Sequence, residues 1–241
     1  LTFTPVNWNT PQTVTVTGVD DNIIDGTITS TITIAVVDGN SDNNFDPVAD
    51  QTVSSTTTDN DVAGFTVVES GGSTSVAETG TTDTFTIVLN AQPISDVVLT
   101  ITSSDTGEAT VNSPLTFTNA NWNSAQTVTV TGVDDNIIDG TITSTITIAV
   151  DDASSDNNFD AVTDQTVSAT TTDNDVAGFT VAQTGGSTSV AETGTTDTFT
   201  IVLNAQPASN VVLTVTSSDT GEATVNTPFT FTAENWNTPR E

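Results

Sequence analysis

The chain has 241 residues, 31 of them Asp or Glu and only one, Arg240, basic; with no histidine its formal net charge is −30. Nucleic acid is not expected as a partner and anionic membrane surfaces are disfavoured, because phosphate and anionic headgroups need a basic patch that this composition does not supply; no direct membrane insertion is expected. The absence of His, Cys, Lys and Met removes histidine bases, thiol nucleophiles, Schiff-base amines, disulfides, lysine isopeptide crosslinks and Cys/His zinc sites, leaving only oxygen donors, which suit Ca²⁺.

"LTFT" opens in mid-strand pattern, so the chain reads as part of something longer. The stretch "TGVDDNIIDGTITSTITIAV" at 17–36 recurs unchanged at 131–150. Trp8, Trp122 and Trp236 are spaced by 114 residues (122−8 and 236−122). A period this long is one whole domain per repeat, not a solenoid coil. With boundaries at the recurring "DND" acids, residues 1–61 are the C-terminal part of a repeat, 62–175 a complete repeat, and 176–241 the N-terminal part of the next. A unit of that size supports its own core.

Within the complete repeat, apolar and polar residues alternate with period two. The expected strands are 64–68, 75–77, 83–89, 97–103 and 109–112, the last continuing into 115–118; then 127–133, 143–150 and 165–171. Phe85, Ile87 and Leu89 share one face, as do Val128 with Val130, and Ile146 with Ile148 and Val150. "SGGS" at 70–73 lets the first segment break and cross between sheets. No segment carries a helical stripe. The fold class is all-β: tandem antiparallel immunoglobulin-like sandwiches of seven or eight strands, joined end to end. The abundant outward threonines are strand formers.

Acids gather at strand ends. The complete repeat has Glu78 in "SVAETG", Asp134, Asp135 and Asp139 in "VDDNIIDG", and Asp173 and Asp175 in "TDNDVAG". If strands 127–133 and 165–171 run the same way, their acids emerge at one pole, facing the next repeat. At 4 Å each pair of carboxylates repels by roughly 1 kcal/mol in water and about 4 at an effective dielectric near 20. No nearby base offsets this, so a bound Ca²⁺ is expected. The competing reading is a set of solvated loop acids that never converge, or an acidic surface suited to a salty habitat.

These three motifs, in this order and spacing, resemble the Calx-β domain, across all of 62–175 and the visible parts of both neighbours. The resemblance implies an immunoglobulin-like sandwich that binds Ca²⁺ through Glu78, Asp134, Asp135, Asp173 and Asp175, with Asp139 as a further acid. It implies the same role for Asp20, Asp21, Asp25, Asp59 and Asp61 in the first repeat, and for Glu192 in the third. The family's mid-domain Asp-Tyr is replaced here by "GEATVN" at 107–112, and the closing triplet carries Asn174 between its acids. Fewer charges imply affinities of roughly 10⁻⁴–10⁻³ M, as in extracellular modules.

Other features carry bland readings. "SDNNFD" at 41–46 and 155–160 is expected to be an ordered connection whose Phe45 or Phe159 plugs the core edge, with a second metal site as the alternative. "NWN" around each tryptophan is expected to cap the sandwich, with sugar stacking as the alternative. Glu69 is not expected to bind metal, because its counterpart is Gln183. Paired carboxylates could hydrolyse glycosides, but acids that recur at every joint do not line a substrate cleft, so no enzymatic activity is expected.

The expected function is a stalk segment of a long, secreted, cell-surface adhesin, stiffened by Ca²⁺ at its joints. Thr-rich, "DND"-punctuated arrays look like those of giant adhesins of gliding Bacteroidota, exported by type IX secretion. The expected partners are neighbouring repeats of the same chain, with any surface or glycan target bound by regions outside this fragment. A Ca²⁺-dependent carbohydrate-binding module is the alternative, and a regulatory module of a transporter a third reading.

Overall fold

The computed structural model describes all 241 residues, Leu1–Glu241. Residues of the complete repeat form two packed sheets. The first is four-stranded, with order β3 (Phe65–Glu69), β5 (Thr82–Leu89), β9 (Gln126–Gly132) and β7 (Ala109–Val111). The second is five-stranded, with order β4 (Thr74–Ala77), β11 (Gln165–Thr172), β10 (Ile142–Val150), β6 (Val97–Ser103) and β8 (Leu115–Phe117). Every pairing is antiparallel except β4 along β11. This is an all-β, immunoglobulin-like sandwich.

The alternation in the sequence explains the packing. Along β5, Phe85, Ile87 and Leu89 point into the core, and Val128 and Val130 of β9 meet them from the next strand. Ile146 and Ile148 of β10, with Leu99 and Ile101 of β6, line the opposing sheet. Eighteen buried apolar residues form this one core, and each Val, Leu, Ile or Phe among them contributes roughly 1.5–3 kcal/mol by leaving water. The first strand segment crosses between sheets at Ser70–Gly72, where Gly71 and Gly72 hold φ of +70° and +83°. Both values lie in the left-handed region that glycine enters without penalty.

One expectation is corrected. Residues 109–118 do not make one continuing strand: β7 pairs with β9 in the first sheet, and β8 pairs with β6 in the second. The chain changes sheets at Ser113-Pro114. Pro114 has no N–H to give a ladder, and the Ser113 hydroxyl accepts the Ile101 N–H (2.8 Å) where a ladder carbonyl would otherwise stand.

The flanking residues form smaller pieces of the same design. Before the complete repeat, β1 (Ile28–Ile34) pairs with β2 (Gln51–Thr57), as β10 pairs with β11. After it, β12 (Phe179–Gln183) pairs with β13 (Phe199–Leu203), and β14 (Val211–Leu213) with β15 (Phe229–Phe231). No helix is long and apolar enough to cross a membrane.

Candidate metal centre

Strand direction places the acids. β9 and β11, in different sheets, both end at the pole that carries loop 133–141, and β4 ends there beside β11. The Glu78 N–H donates to the Thr172 carbonyl (3.1 Å), and Glu78 Oε2 accepts the Asn174 N–H (3.1 Å). Asp173 Oδ1 accepts the Asp175 N–H (2.6 Å), and its Oδ2 accepts the Gly140 N–H (2.8 Å), which ties the end of β11 to loop 133–141. Gly132 lets β9 end against β4, because a Cβ there would overlap the Ala77 carbonyl.

Two groups of acids converge. Carboxylate oxygens of Glu78, Asp173 and Asp175 lie within 4.8 Å of one another, and so do those of Glu78, Glu108 and Asp139. The two groups share Glu78, which is 1% exposed. Three of these acids hold buried oxygens with no hydrogen-bond partner: Glu78 Oε1, Glu108 Oε2 and Asp175 Oδ2. Carboxylate oxygens without donors are what a hard divalent cation seeks, so the donor set fits a metal ion.

The electrostatics agree with that geometry. Burial pushes the Glu108 carboxyl up to about 7, and the charges of Asp139, Glu78, Asp105 and Asp135 add to the effect. Burial also raises Glu78, against the lowering effect of the Asn174 N–H, with Asp173, Asp135 and Asp139 as further repulsive neighbours. Asp175 is raised by burial and then by Asp173 and Asp134. Asp173 moves the other way, lowered first by the N–H groups of Asp175 and Gly140. The cluster therefore resists full ionisation unless a cation joins it.

Among the sequence-predicted residues, Glu78, Asp139, Asp173 and Asp175 are brought together. Asp134 and Asp135 stand at the rim: Asp134 Oδ1 accepts from Asn174 Nδ2 (2.8 Å), and Asp135 Oδ1 from the Ile137 N–H (2.6 Å). Asn174 thus braces the cluster with two donors, through its backbone to Glu78 and its side chain to Asp134. In the first repeat, Asp59 repeats the Asp173 arrangement, accepting the Asp61, Asp25 and Gly26 N–H groups (2.8, 3.1 and 2.9 Å). Asp21, Asp25, Asp59 and Asp61 line one open depression there, with Asp20 beside it. Glu192, in the third repeat, is exposed.

Glu108 is the residue that sequence reasoning missed. It precedes β7, is 6% exposed, and its carbonyl accepts both the Val133 N–H (2.9 Å), just past the end of β9, and the Thr171 hydroxyl (3.3 Å) of β11. The signal was present in "GEATVN", an acid directly before a strand that recurs at 221–226.

The bland readings have structural reasons. Asp156 of "SDNNFD" is 3% exposed, and both its oxygens accept backbone N–H groups, from Ile94, Ser95 and Asn158 (2.7, 3.1 and 3.0 Å). Phe159 beside it is fully buried in the core. Trp122 packs against that core and its carbonyl accepts the Leu89 N–H (3.1 Å). Glu69 accepts the Thr74 hydroxyl (2.9 Å) and stands apart from the acid cluster.

No family model and no curated protein matches the chain. Solved structures that are similar include SSP-19, an MSP-domain protein-like family member of Caenorhabditis elegans, at 17% identity and a TM-score of 0.29, over 42% of this chain and 92% of that one. Domains 1–6 of the surface layer protein SbsC are similar at 19% identity and a TM-score of 0.32, over 64% of this chain and 24% of that one. A chaperone–tip adhesin complex of CFA/I fimbriae biogenesis is similar at 8% identity and a TM-score of 0.32, over 66% and 77%.

Proposed function

We propose that this chain is a non-enzymatic stalk segment of a secreted cell-surface adhesin, in which Ca²⁺ bound at the acid pole of each sandwich stiffens the joint to the next. The observation that carries the calcium reading is the set of buried, partnerless oxygens on Glu78, Glu108 and Asp175 in a chain with one base. Unpaired buried charge is costly, and a divalent cation with oxygen ligands offsets it. Glu78, Glu108, Asp139, Asp173 and Asp175 would hold the ion, and Asn174 would position Glu78.

The stalk reading is supported by near-identical domains in tandem. The linker between "DND" and the next strand pattern is short, with Val62 exposed and Ala63 packed on the following core. A connection of that length is no flexible tether. The resemblance to arrays of gliding adhesins extends the reading to a chain exported by type IX secretion, with its adhesive target bound elsewhere.

Thermal melting with calcium, with magnesium and with chelator tests the proposal. Calcium at about thirty times its dissociation constant should stabilise the complete repeat by about 2 kcal/mol. X-ray scattering should show a larger maximum dimension with calcium than with chelator. Identical melting curves in millimolar calcium and in chelator would remove the calcium reading.

A further inference from the structure

Loop 133–141 and its copy 19–27 carry, between their acids, three residues that the acid cluster does not use: Asn136-Ile137-Ile138 and Asn22-Ile23-Ile24. An acid shapes each loop. Asp21 Oδ1 accepts the Ile23 N–H (2.8 Å), as Asp135 Oδ1 accepts the Ile137 N–H (2.6 Å), and the turn leaves the neighbouring C=O and N–H groups pointing away from their own repeat.

The following repeat receives them at its opposite pole, on the turn after β5. The Gln92 N–H donates to the Asn22 carbonyl (2.7 Å), and the Ile24 N–H donates to the Gln92 carbonyl (3.4 Å), forming a short parallel bridge between Ile23 and Gln92. The Ile24 side chain packs against the core of the complete repeat, and Asn158 Nδ2 donates to the Ile24 carbonyl (3.1 Å). Gln92 is braced by its own Nε2, which donates to the Asn119 carbonyl (2.9 Å). The buried Asp156 holds Ile94, Ser95 and Asn158 around this seat.

The same contact recurs one repeat later. The Gln206 N–H donates to the Asn136 carbonyl (2.6 Å), and Ile137 bridges Gln206 in parallel. Two joints in one chain, built from corresponding residues, mark an arrangement encoded in each repeat.

We propose that the Asn-Ile-Ile tip of this loop is a docking plug for the next repeat, that the β5–β6 turn and the Asn158 loop are its socket, and that the joint closes without bound metal. Two bodies joined by one short linker can still hinge about it; a second attachment away from it narrows that hinge, and calcium at the acid pole would stiffen it further. The proposal deepens the stalk reading and rests on its end-to-end repeats, but it does not rest on calcium. It also assigns a role to "SDNNFD", whose second asparagine reaches across the joint.

Amide hydrogen exchange on the 241-residue chain, in chelator and in millimolar calcium, tests it. In chelator the Gln92 and Gln206 amides should exchange at least roughly 100-fold more slowly than unstructured amides. Ile24→Asp should return Gln92 to fast exchange and leave Gln206 slow, so the second joint serves as an internal control for folding. Asn158→Ala should speed exchange at Gln92 by roughly fivefold, the effect of one hydrogen bond. Fast exchange at Gln92 in the unaltered chain, or slow exchange in Ile24→Asp, would overturn the proposal. Protection that requires calcium would also overturn it while leaving the calcium reading intact; slow exchange together with identical melting in calcium and chelator would do the reverse.

Discussion

The complete repeat and its flanking pieces share sequence but not environment. "QTVTVTG" at 126–132 buries Val128 and Val130 completely, whereas the same seven residues at 12–18 leave Val14 57% and Val16 54% exposed. Ile148 is fully buried and its counterpart Ile34 is 46% exposed, although both stand in "TITIAV". Glu78 is buried and Glu192 exposed. Burial in this fold therefore belongs to the meeting of two sheets, and the alternating pattern only prepares a strand for it. The acid turns behave differently. Asp59 and Asp173 make matching backbone contacts and are both lowered, while Asp61 and Asp175 are both raised by burial and neighbouring acids. Local turns form within part of a repeat; the shared glutamate site draws on both halves of one, Glu78 and Glu108 from the first half and Asp139, Asp173 and Asp175 from the second.

The largest effect should come from removing the difference itself. Extending the chain with the counterpart of residues 128–175 should bury Phe179 and Glu192, and slow amide exchange in β12 and β13 by orders of magnitude. Unchanged exchange would mean that the repeat boundary is misplaced. Next in size is a matched pair of truncations. Ile148→Ala should cost about 2–5 kcal/mol in denaturant unfolding, whereas Ile34→Ala should stay within about 0.5. Equal costs would break the comparison.

A smaller, pH-dependent effect should come from Glu108, whose counterpart Glu222 is exposed. Glu108 is raised from an ordinary value of 4.5 to about 7, so the folded state keeps its proton to higher pH than the unfolded chain. Its contribution to stability is full below about 4.5 and is lost as pH rises through about 7. Glu78 and Asp175 act in the same direction; the lowered Asp173 acts oppositely, with a contribution that is lost only as pH falls below its ordinary 3.8. Without metal, the complete repeat should melt higher near about pH 5 than near about 7.5. Glu108→Gln should flatten that profile. With calcium the slope should reverse, because the cation requires the ionised carboxylates.

Much of the fold was legible because its strands are half-buried and alternate strictly. β6 was bounded to the residue, and Phe85, Ile87 and Leu89 face the core as their spacing predicts. The break between β7 and β8 was not legible, because only the partner sheets distinguish a strand that continues from one that crosses. The acid pole was legible in outline, since Glu78, Asp173 and Asp175 end strands that pair side by side. Glu108 was not, because its backbone is held by the Val133 and Thr171 groups, far along the chain, that clasp its carbonyl. The joint left least trace: its bonds run through the main chain of Asn22, Ile24 and Gln92, and side-chain patterns say little about main-chain partners.

Titration calorimetry with calcium on the 241-residue chain, in parallel with Glu78→Gln, probes the acid pole itself. Calcium should give heat with a dissociation constant of roughly 10⁻⁴–10⁻³ M, weakened at least roughly tenfold by the substitution, because Glu78 is shared by both groups of acids. No heat at millimolar calcium, or the same heat from Glu78→Gln, would contradict the calcium reading.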